Sequence, residues 1–266
     1  MSNRLLPIAL AAALLGGCGA RYDDAVVLEG QGRYAAAAAK YREFALAHPA
    51  APEAPKALLS AAGLYALKLG VCNESRPLLE RLARNYPDFK MPEDDFRRIF
   101  VCPDYFPVGE GRSWYYGDSQ TLGRNASQRL AVVDHTSKGA VVNSAFYAGK
   151  ALVSRQKLVY SYSGLDFVER QPSGTTVALS YPLDAGKSWT SRAMGGRVDF
   201  LVEKTGLEVK VKAGSFQDCV KIRRRPAGAP SWIYEYYAPW VGRVLTAVGG
   251  PGYEHRVTEL LSYEKK

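Results

Sequence analysis

The chain has 266 residues, of which 47% are hydrophobic and 23% are charged, and its 35 basic side chains outnumber 26 acidic ones to give a formal net charge of +9. This composition is that of an ordinary folded protein of one or two domains. It excludes a disordered, a collagen-like or a polytopic membrane chain.

The first 17 residues have the pattern of a secretion signal. A positively charged start, Met1–Arg4, precedes an apolar run of 11 residues, Leu5–Leu15, and small residues follow it. A helix of that length spans about 16 Å, roughly half of the hydrocarbon core of a bilayer. We therefore predict a signal peptide over residues 1–17 rather than a membrane-spanning anchor.

The segment Leu15–Cys18 reads Leu-Gly-Gly-Cys and resembles the lipobox of bacterial lipoproteins. The resemblance implies that the mature chain begins at Cys18, which carries the acyl chains, and that residues 18–21 form a short tether. Gly19 stands where lipoproteins retained at the inner membrane often have Asp. The implied location is therefore the periplasmic face of the outer membrane, and the alternative is a plain secretory signal with an incidental cysteine.

Residues 22–103 carry small and aromatic residues at helical spacing. One unit, Gly32–Pro49, and a second that ends at Pro87 resemble tetratricopeptide repeats. Together with the lipobox they resemble the BamD-type outer-membrane assembly lipoproteins and related periplasmic coordinator proteins. Because about three repeats are needed to bury a core, we predict that Glu93–Val101 caps the two. The alternative is any pair of alanine-rich helical hairpins.

The repeat interpretation predicts a groove that binds a segment of an envelope protein. The first helix of each repeat would line this groove. The predicted groove residues are Tyr22, Val26, Glu29, Ser60, Leu64, Leu67 and Lys68.

Three cysteines follow Cys18 in the sequence. If the capping helix lies on the second repeat, Cys72 and Cys102 are placed to form a disulfide, as an oxidising compartment permits. Cys219 lies in an alternating apolar stretch and is predicted to be a buried thiol. No Cys-x-x-Cys motif or Cys/His cluster occurs, so the sequence predicts no metal site and no cofactor.

Residues 104–266 change to a period of two. Leu207–Val211 alternates apolar and charged residues, and the aromatic residues of Trp232–Tyr236 share one face of another strand. Such runs between turn residues predict a predominantly antiparallel β domain, either a half-barrel or a sandwich. The predicted fold class is therefore α+β, with tetratricopeptide-like hairpins in front of this domain.

An internal repeat lies within the β region. Pro107–Trp114 and Pro182–Trp189 share the pattern Pro-apolar-x-x-Gly-basic-Ser-Trp. Each predicts a turn that leads into a strand beginning near the Trp, so we expect the domain to be either two related sheets or two halves of an open barrel. Trp114 and Trp189 are interpreted either as core anchors or as residues that stack on a ligand.

Three short segments of the β region resemble a scattered group of secreted bacterial lipoproteins that have no established activity. These segments are Tyr105–Val108, Gly214–Cys219 and Ala238–Val244. The densest basic cluster, Arg223–Arg225, is interpreted either as a contact for anionic envelope components or as a solvated strand end or sheet-edge guard that needs no ligand.

The leading hypothesis is a lipid-anchored envelope scaffold that binds protein partners through its helical repeats. The alternative hypothesis is a carrier whose β domain holds a lipid or a glycan. An apolar lumen of that kind would require the aromatic face of Trp232–Tyr236 to point inward. No catalytic signature occurs, so an enzyme is not predicted, and nucleic acid is excluded as a partner by export.

Overall fold

The computed structural model describes residues 21–193 and 196–264. The chain divides between Phe89 and Lys90 into two compact units. In the described residues the first unit contains four α-helices, and the second contains one α-helix and 12 β-strands. No helix in these ranges is long and apolar enough to cross a membrane.

The first unit is a set of short helices packed through alanine and leucine side chains. Gly32 has a φ of +72°, which lets the chain turn sharply between the first two helices. Pro55 lies in the first turn of the third helix, where its missing N–H costs nothing. The helices are α1 (Tyr22–Gly30), α2 (Tyr34–Ala47), α3 (Ala54–Gly63) and α4 (Cys72–Asn85), with a π-helical turn at Leu64–Lys68 after α3.

The predicted tetratricopeptide-like architecture is wrong. The helix α1 has only 9 residues, and the π-helical turn at Leu64–Lys68 breaks the α-helical register after α3. Since a π-helical turn adds a residue to one turn, side chains before and after it no longer share a face at the repeat spacing. The small residues allow close helix packing without forming this repeat.

The helix predicted to cap the repeats is present as α5 (Glu93–Phe100), but it belongs to the second unit. There the guanidinium of Arg97 lies 5.9 Å from the ring centroid of Tyr162. Ile99 is its buried side chain. The boundary between the two units therefore lies before α5, whereas the sequence predicted a boundary after residue 103.

The second unit is dominated by one antiparallel sheet whose strands follow one another along the chain. Its strands are β1 (Ser113–Asp118), β2 (Ala126–Thr136), β3 (Gly139–Ala148), β4 (Ala151–Ser163), β5 (Asp166–Gln171), β6 (Gly174–Ser180), β7 (Ser188–Ala193), β8 (Gly196–Val211), β9 (Gly214–Pro226), β10 (Trp232–Ala238), β11 (Gly242–Gly250) and β12 (Tyr253–Glu264).

The strand order makes the sheet a nearly closed barrel. The order is β6-β5-β4-β3-β2-β1-β12-β11-β10-β9-β8-β7, so β1 pairs with β12 in the middle and β6 and β7 form the two edges. The antiparallel character was predicted, but the half-barrel or sandwich was wrong, because all 12 strands belong to one curved sheet.

The internal sequence repeat marks the start of each six-strand half. Ser113 and Ser188 are the first residues of β1 and β7, as the repeated turn predicted. Trp114 is 1% exposed, and its indole N–H donates to the carbonyl of Val241 at 2.6 Å. Trp189 stacks on Phe200 with ring centroids 5.0 Å apart. These contacts support the interpretation of both tryptophans as packing anchors.

The two edge strands meet at a seam that side chains hold together. The backbone N–H of Val177 donates to Ser191 Oγ at 2.8 Å, and Thr176 Oγ1 donates to the carbonyl of Arg192 at 2.9 Å. The indole N–H of Trp189 donates to the carbonyl of Val177 at 3.1 Å. Hydrogen bonds that involve side chains therefore join β6 to β7 at this seam, whereas backbone hydrogen bonds join the other neighbouring strands.

Candidate ligand-binding cavity in the barrel

One end of the barrel interior is filled by the segment between α5 and β1. Phe106 is 6% exposed, and its ring lies 5.1–5.3 Å from the rings of three barrel residues: Trp114, Tyr160 and Phe167. Tyr105 reaches across the same end, where its hydroxyl donates to the carbonyl of Asp218 at 3.0 Å. We call residues 105–108 the plug segment, because its rings close this end.

Asp104 fixes the plug segment to the barrel. Its Oδ1 accepts hydrogen bonds from the N–H of Phe106 at 2.8 Å and from the hydroxyl of Tyr162 at 3.2 Å. Its carbonyl accepts from the N–H of Trp240 at 2.7 Å. Burial raises the pKa of this carboxyl from 3.8 to about 6, although both hydrogen bonds to the carboxyl act in the opposite direction.

Beyond the plug segment the interior contains a cavity of about 260 Å³. Phe106 forms part of its floor, and Gln156 on β4 is an exposed lining residue. Further along β4, Tyr160 lines the same cavity and is only 4% exposed. The cavity therefore deepens from an accessible rim towards the plug segment.

The lining of this cavity combines aromatic and aliphatic side chains with an equal number of polar ones. Four charged side chains and three amides belong to it. The charged residues are Glu169, Arg224, Glu235 and Arg243, and the amides are Gln128, Gln156 and Gln171.

Three of the charged residues form a triad on neighbouring strands. Oε1 of Glu235 lies 3.1 Å from the guanidinium of Arg243 and 3.4 Å from that of Arg224. Its Oε2 accepts from the hydroxyl of Tyr237 at 3.0 Å. The side chain of Glu235 is 7% exposed, whereas those of Arg243 and Arg224 are 24% and 30% exposed.

The pKa of Glu235 shows whether burial or the neighbouring arginines determine the charge of this carboxyl. Burial alone would raise this pKa, but the charges of Arg224 and Arg243 outweigh burial and hold it below its usual value. For Arg243, burial is the largest influence and acts to lower the pKa, but Glu235 together with the neighbouring tyrosines outweighs it, so the guanidinium stays charged. Two positive charges therefore share one carboxylate.

The arginines have donors that the protein does not use. Nε of Arg224 and Nε of Arg243 are both buried, and neither has a hydrogen-bond partner among the described residues. A guanidinium presents five N–H donors in a planar fork. Because buried polar groups are normally paired, these donors are the most direct sign of a binding site in the molecule.

Glu169 on β5 supplies a second carboxyl to the cavity. Burial raises its pKa above the usual value, and the charge of Arg243 only partly opposes this. No ion pair within 4.0 Å joins Glu169 to a basic side chain in the described ranges. The Tyr160 hydroxyl is a hydrogen-bond partner of this carboxyl, which has further acceptor positions for a bound molecule.

The basic run Arg223–Arg225 supplies one of these residues. β9 pairs with β8 and with β10, so the interpretation as a guard on a sheet edge is wrong. Successive side chains of a strand point to opposite faces. Arg224 accordingly lines the cavity, while the guanidinium of Arg223 lies outside it, 4.5 Å from the ring centroid of Trp232.

The same alternation on β10 places the aromatic residues of Trp232–Tyr236 on the face that points away from the cavity. Glu235 and Tyr237 line the cavity, whereas the three aromatic residues of Trp232–Tyr236 do not. On the outer face Lys221 Nζ lies 3.9 Å from the centroid of the Tyr234 ring. The sequence therefore predicted this strand and its aromatic face correctly, but that face does not form the apolar lumen that the carrier hypothesis would require.

The outer aromatic face is already occupied by its own partners. Lys221 Nζ lies 2.8 Å from Glu203 and 2.7 Å from Glu254. A Cβ on Gly249 would lie 2.9 Å from the ring of Tyr234, so the glycine lets that ring lie on the backbone. The Lys221 ammonium on this face is thus paired with two carboxylates.

Some predicted groove residues serve contacts within the first unit. The ring of Tyr22 lies 5.4 Å from that of Tyr41, and the hydroxyl of Tyr41 donates to Glu29 at 2.8 Å. Lys68 Nζ lies 5.5 Å from the centroid of the Tyr34 ring. These side chains therefore stabilise their own helices.

The remaining groove residues do not share one environment. Leu64 is 4% exposed and belongs to the core, and Ser60 is half-buried. Val26 and Leu67 are 45% and 42% exposed. The structure thus does not bring the seven residues into one continuous surface of similar burial.

The cysteines differ in state. Cys72 and Cys102 are both disulfide-bonded, and Cys219 is a buried free thiol whose pKa burial raises to about 11. Cys18, the signal peptide and most of the tether lie outside the described residues. In the described part of the chain no group of three or more acidic, His or Cys side chains is placed to hold a metal ion.

Comparison with known proteins gives two structural matches. No protein-family model matches the sequence, and no curated protein matches it significantly. A predicted exported protein with a YmcC-like fold from Bacteroides fragilis matches 62% of this chain and 100% of its own, with 18% identity and a TM-score of 0.43. A predicted lipoprotein from Parabacteroides distasonis matches 60% of this chain and 98% of its own, with 16% identity and a TM-score of 0.40.

At this level of similarity the function has to be argued from the residues themselves. TM-scores of 0.43 and 0.40 are too low for either match to indicate what this chain does. The side chains that line the barrel interior are therefore the basis for the proposed function.

Proposed function

We propose that the chain is an exported lipoprotein, held through Cys18 at the periplasmic face of the outer membrane, whose barrel binds one sugar residue of a glycan. The observation that carries the proposal is the cavity beyond the plug segment. Its volume of about 260 Å³ is near the lower end for small-molecule sites and suits a ligand of about one sugar residue.

The chemistry of the lining distinguishes a glycan from an acyl chain. The cavity presents three amides and four charged groups. Polar groups that lose water without gaining a hydrogen bond are strongly unfavourable, so an acyl chain placed against them would bind poorly. A sugar residue offers hydroxyl groups that donate and accept, and its faces can contact rings such as Phe106 and Tyr160.

The scaffold hypothesis rests on an architecture that the helices lack. A groove between tetratricopeptide repeats requires a regular offset between successive helices, which the π-helical turn at Leu64–Lys68 interrupts. The glycan-binding barrel therefore replaces it as the proposed function.

Saturation-transfer NMR with the purified full chain and a panel of oligosaccharides tests the proposal. We expect transfer to one sugar residue of a bound oligosaccharide, because the cavity holds about one. Gln156→Ala at the rim should weaken binding at least fivefold, whereas Lys157→Ala, the next residue on β4, is the matched control. Absence of transfer from every sugar, or equal binding by Gln156→Ala and the wild type, would contradict the proposal.

The membrane anchor needs a separate experiment. Labelled palmitate should enter the wild-type chain and should not enter Cys18→Ser. Equal labelling of the two chains would show that Cys18 is not the acylated residue.

A further inference from the structure

Charge is distributed unevenly around the cavity, because both positive side chains lie on one wall. Arg224 on β9, Glu235 on β10 and Arg243 on β11 lie on three consecutive strands of the barrel. Glu169 on β5 belongs to the other half of the sheet. A bound molecule therefore meets a cationic wall and, on another strand, a carboxyl that interacts electrostatically with Arg243 and Arg224.

The cationic wall is only half neutralised. Glu235 gives one oxygen to both guanidiniums, at 3.1 Å and 3.4 Å, and its other oxygen to Tyr237. With one carboxylate between two arginines, the triad carries a net charge of +1. A second carboxylate placed against the arginines would neutralise this surplus.

Geometry favours a carboxylate over a simple point anion. The planar fork of arginine matches the two oxygens of a carboxylate in bidentate contacts. Both guanidiniums keep unused donors, including a buried Nε on each. Their side chains remain 30% and 24% exposed, so a ligand in the cavity can reach them without displacing Glu235.

Glu169 gives the site a second recognition element, which contacts hydroxyl groups of a ligand. Its pKa is raised by burial, and it has no close basic partner in the described ranges. A carboxyl of this kind binds hydroxyl groups and disfavours a second negative charge nearby. A ligand with a carboxylate at one end and hydroxyl groups at the other matches both walls.

We infer that the barrel selects an acidic sugar, whose carboxylate binds Arg224 and Arg243 while its hydroxyl groups face Glu169 and the cavity amides. The inference rests on the proposed glycan-binding function and names the class of sugar.

Isothermal titration calorimetry of the purified full chain at constant ionic strength tests it with D-glucuronate, D-glucose and sodium acetate as probes. We expect glucuronate to bind at least tenfold more tightly than glucose, because only glucuronate supplies the carboxylate. It should also bind at least tenfold more tightly than acetate, because acetate lacks the hydroxyl groups.

Two variants of the basic run connect the preference to the cavity. Arg224→Gln should weaken glucuronate binding at least tenfold, and it should weaken glucose binding by a clearly smaller factor, because only glucuronate presents a carboxylate to the guanidinium. Arg223→Gln, the adjacent residue on the outer face, should leave both within twofold. Arg224→Lys keeps the charge beside Glu235, so it tests the same point if the glutamine variant does not fold, and it should weaken glucuronate binding because lysine lacks the fork.

The outcomes separate the two proposals. Equal affinity for glucose and glucuronate would overturn the acid preference and leave the glycan site standing. Acetate binding as tightly as glucuronate would show a general anion site in place of a sugar-acid site. Glucuronate binding that survives both changes at Arg224 would remove the arginines from recognition, and no binding of either sugar would overturn both proposals.

Discussion

At the plugged end of the barrel, Phe106 packs against aromatic rings on several strands, and Asp104 fixes the segment through three hydrogen bonds. Beside the plug segment, inward-facing positions on β9, β10 and β11 carry Arg224, Glu235 and Arg243 around a cavity of about 260 Å³, whose lining includes Phe106. The difference teaches that packed rings and paired charges stabilise neighbouring parts of one barrel interior. Changes to the rings should act mainly on folding, whereas changes to the charges should act on both folding and binding.

The largest expected effect is at the plug segment. Phe106→Ala should lower the free energy of unfolding by about 4 kcal/mol, because a buried ring is replaced by a cavity. Urea unfolding measures it, and Phe146→Ala, at a site that is 40% exposed, should cost less than about 1 kcal/mol. A loss at Phe106 no larger than that at Phe146 would show that the plug segment does not hold the barrel together.

The next effect concerns the triad. Glu235→Gln should cost about 3 kcal/mol, because it leaves Arg224 and Arg243 without their shared carboxylate, and both arginines are only partly exposed. Glu254→Gln on the outer face should cost less than about 1 kcal/mol, since Lys221 keeps Glu203. Equal unfolding energies for the two variants would remove the distinction between the interior and exterior networks.

The third effect depends on pH and belongs to Asp104. Because its pKa rises from 3.8 in the unfolded chain to about 6 in the folded protein, the folded state binds more protons across this interval. The stability from this group is fully present below pH 3.8 and is lost as the pH rises through about 6. We expect the loss to be about 2 kcal/mol for this partly accessible carboxyl.

Asp104→Asn isolates that contribution. The amide oxygen can still accept from Phe106 and Tyr162, but it does not titrate. Urea unfolding between pH 4 and pH 7 should therefore show a smaller fall in stability for the variant than for the wild type. Parallel curves would mean that another group controls this pH range.

The smallest effect is expected at the seam. Ser191→Ala removes the acceptor of the Val177 N–H and should cost about 1 kcal/mol. Hydrogen exchange should show faster exchange of the Val177 amide. Ser215→Ala, which loses only an exposed contact with Glu208, is the control and should stay within about 0.5 kcal/mol.

The sequence predicted the local character of the β unit because strand alternation is a short-range signal. Leu207–Val211 and Trp232–Tyr236 lie in β8 and β10 as predicted strands. The closure of the sheet depends on contacts such as Val177 with Ser191, which no local pattern specifies. Sequence alternation also cannot decide which face of β10 points inward, and for that reason the Glu235 site was missed.

The helical unit shows a different limit. Glycine, alanine and aromatic residues at repeat-like offsets predict close helix packing, which occurs at buried residues such as Ala37, Ala57 and Tyr41. The π-helical turn at Leu64–Lys68 is set by tertiary packing rather than by any residue that marks it. A signal for the binding site was nevertheless present: alternation within Arg223–Arg225 requires Arg224 to face away from its neighbours.

The pairing of β1 with β12 has a consequence for how the protein is made. Ser113 lies opposite Glu264, so the first strand of the barrel must wait for the last one to be synthesised before it gains its second neighbour. Each six-strand half is a meander of contacts between adjacent strands and can begin to organise alone, whereas joining the halves is a long-range event and therefore a slow one. A chain threaded through a translocon would thus reach the far side of the inner membrane before its barrel is assembled.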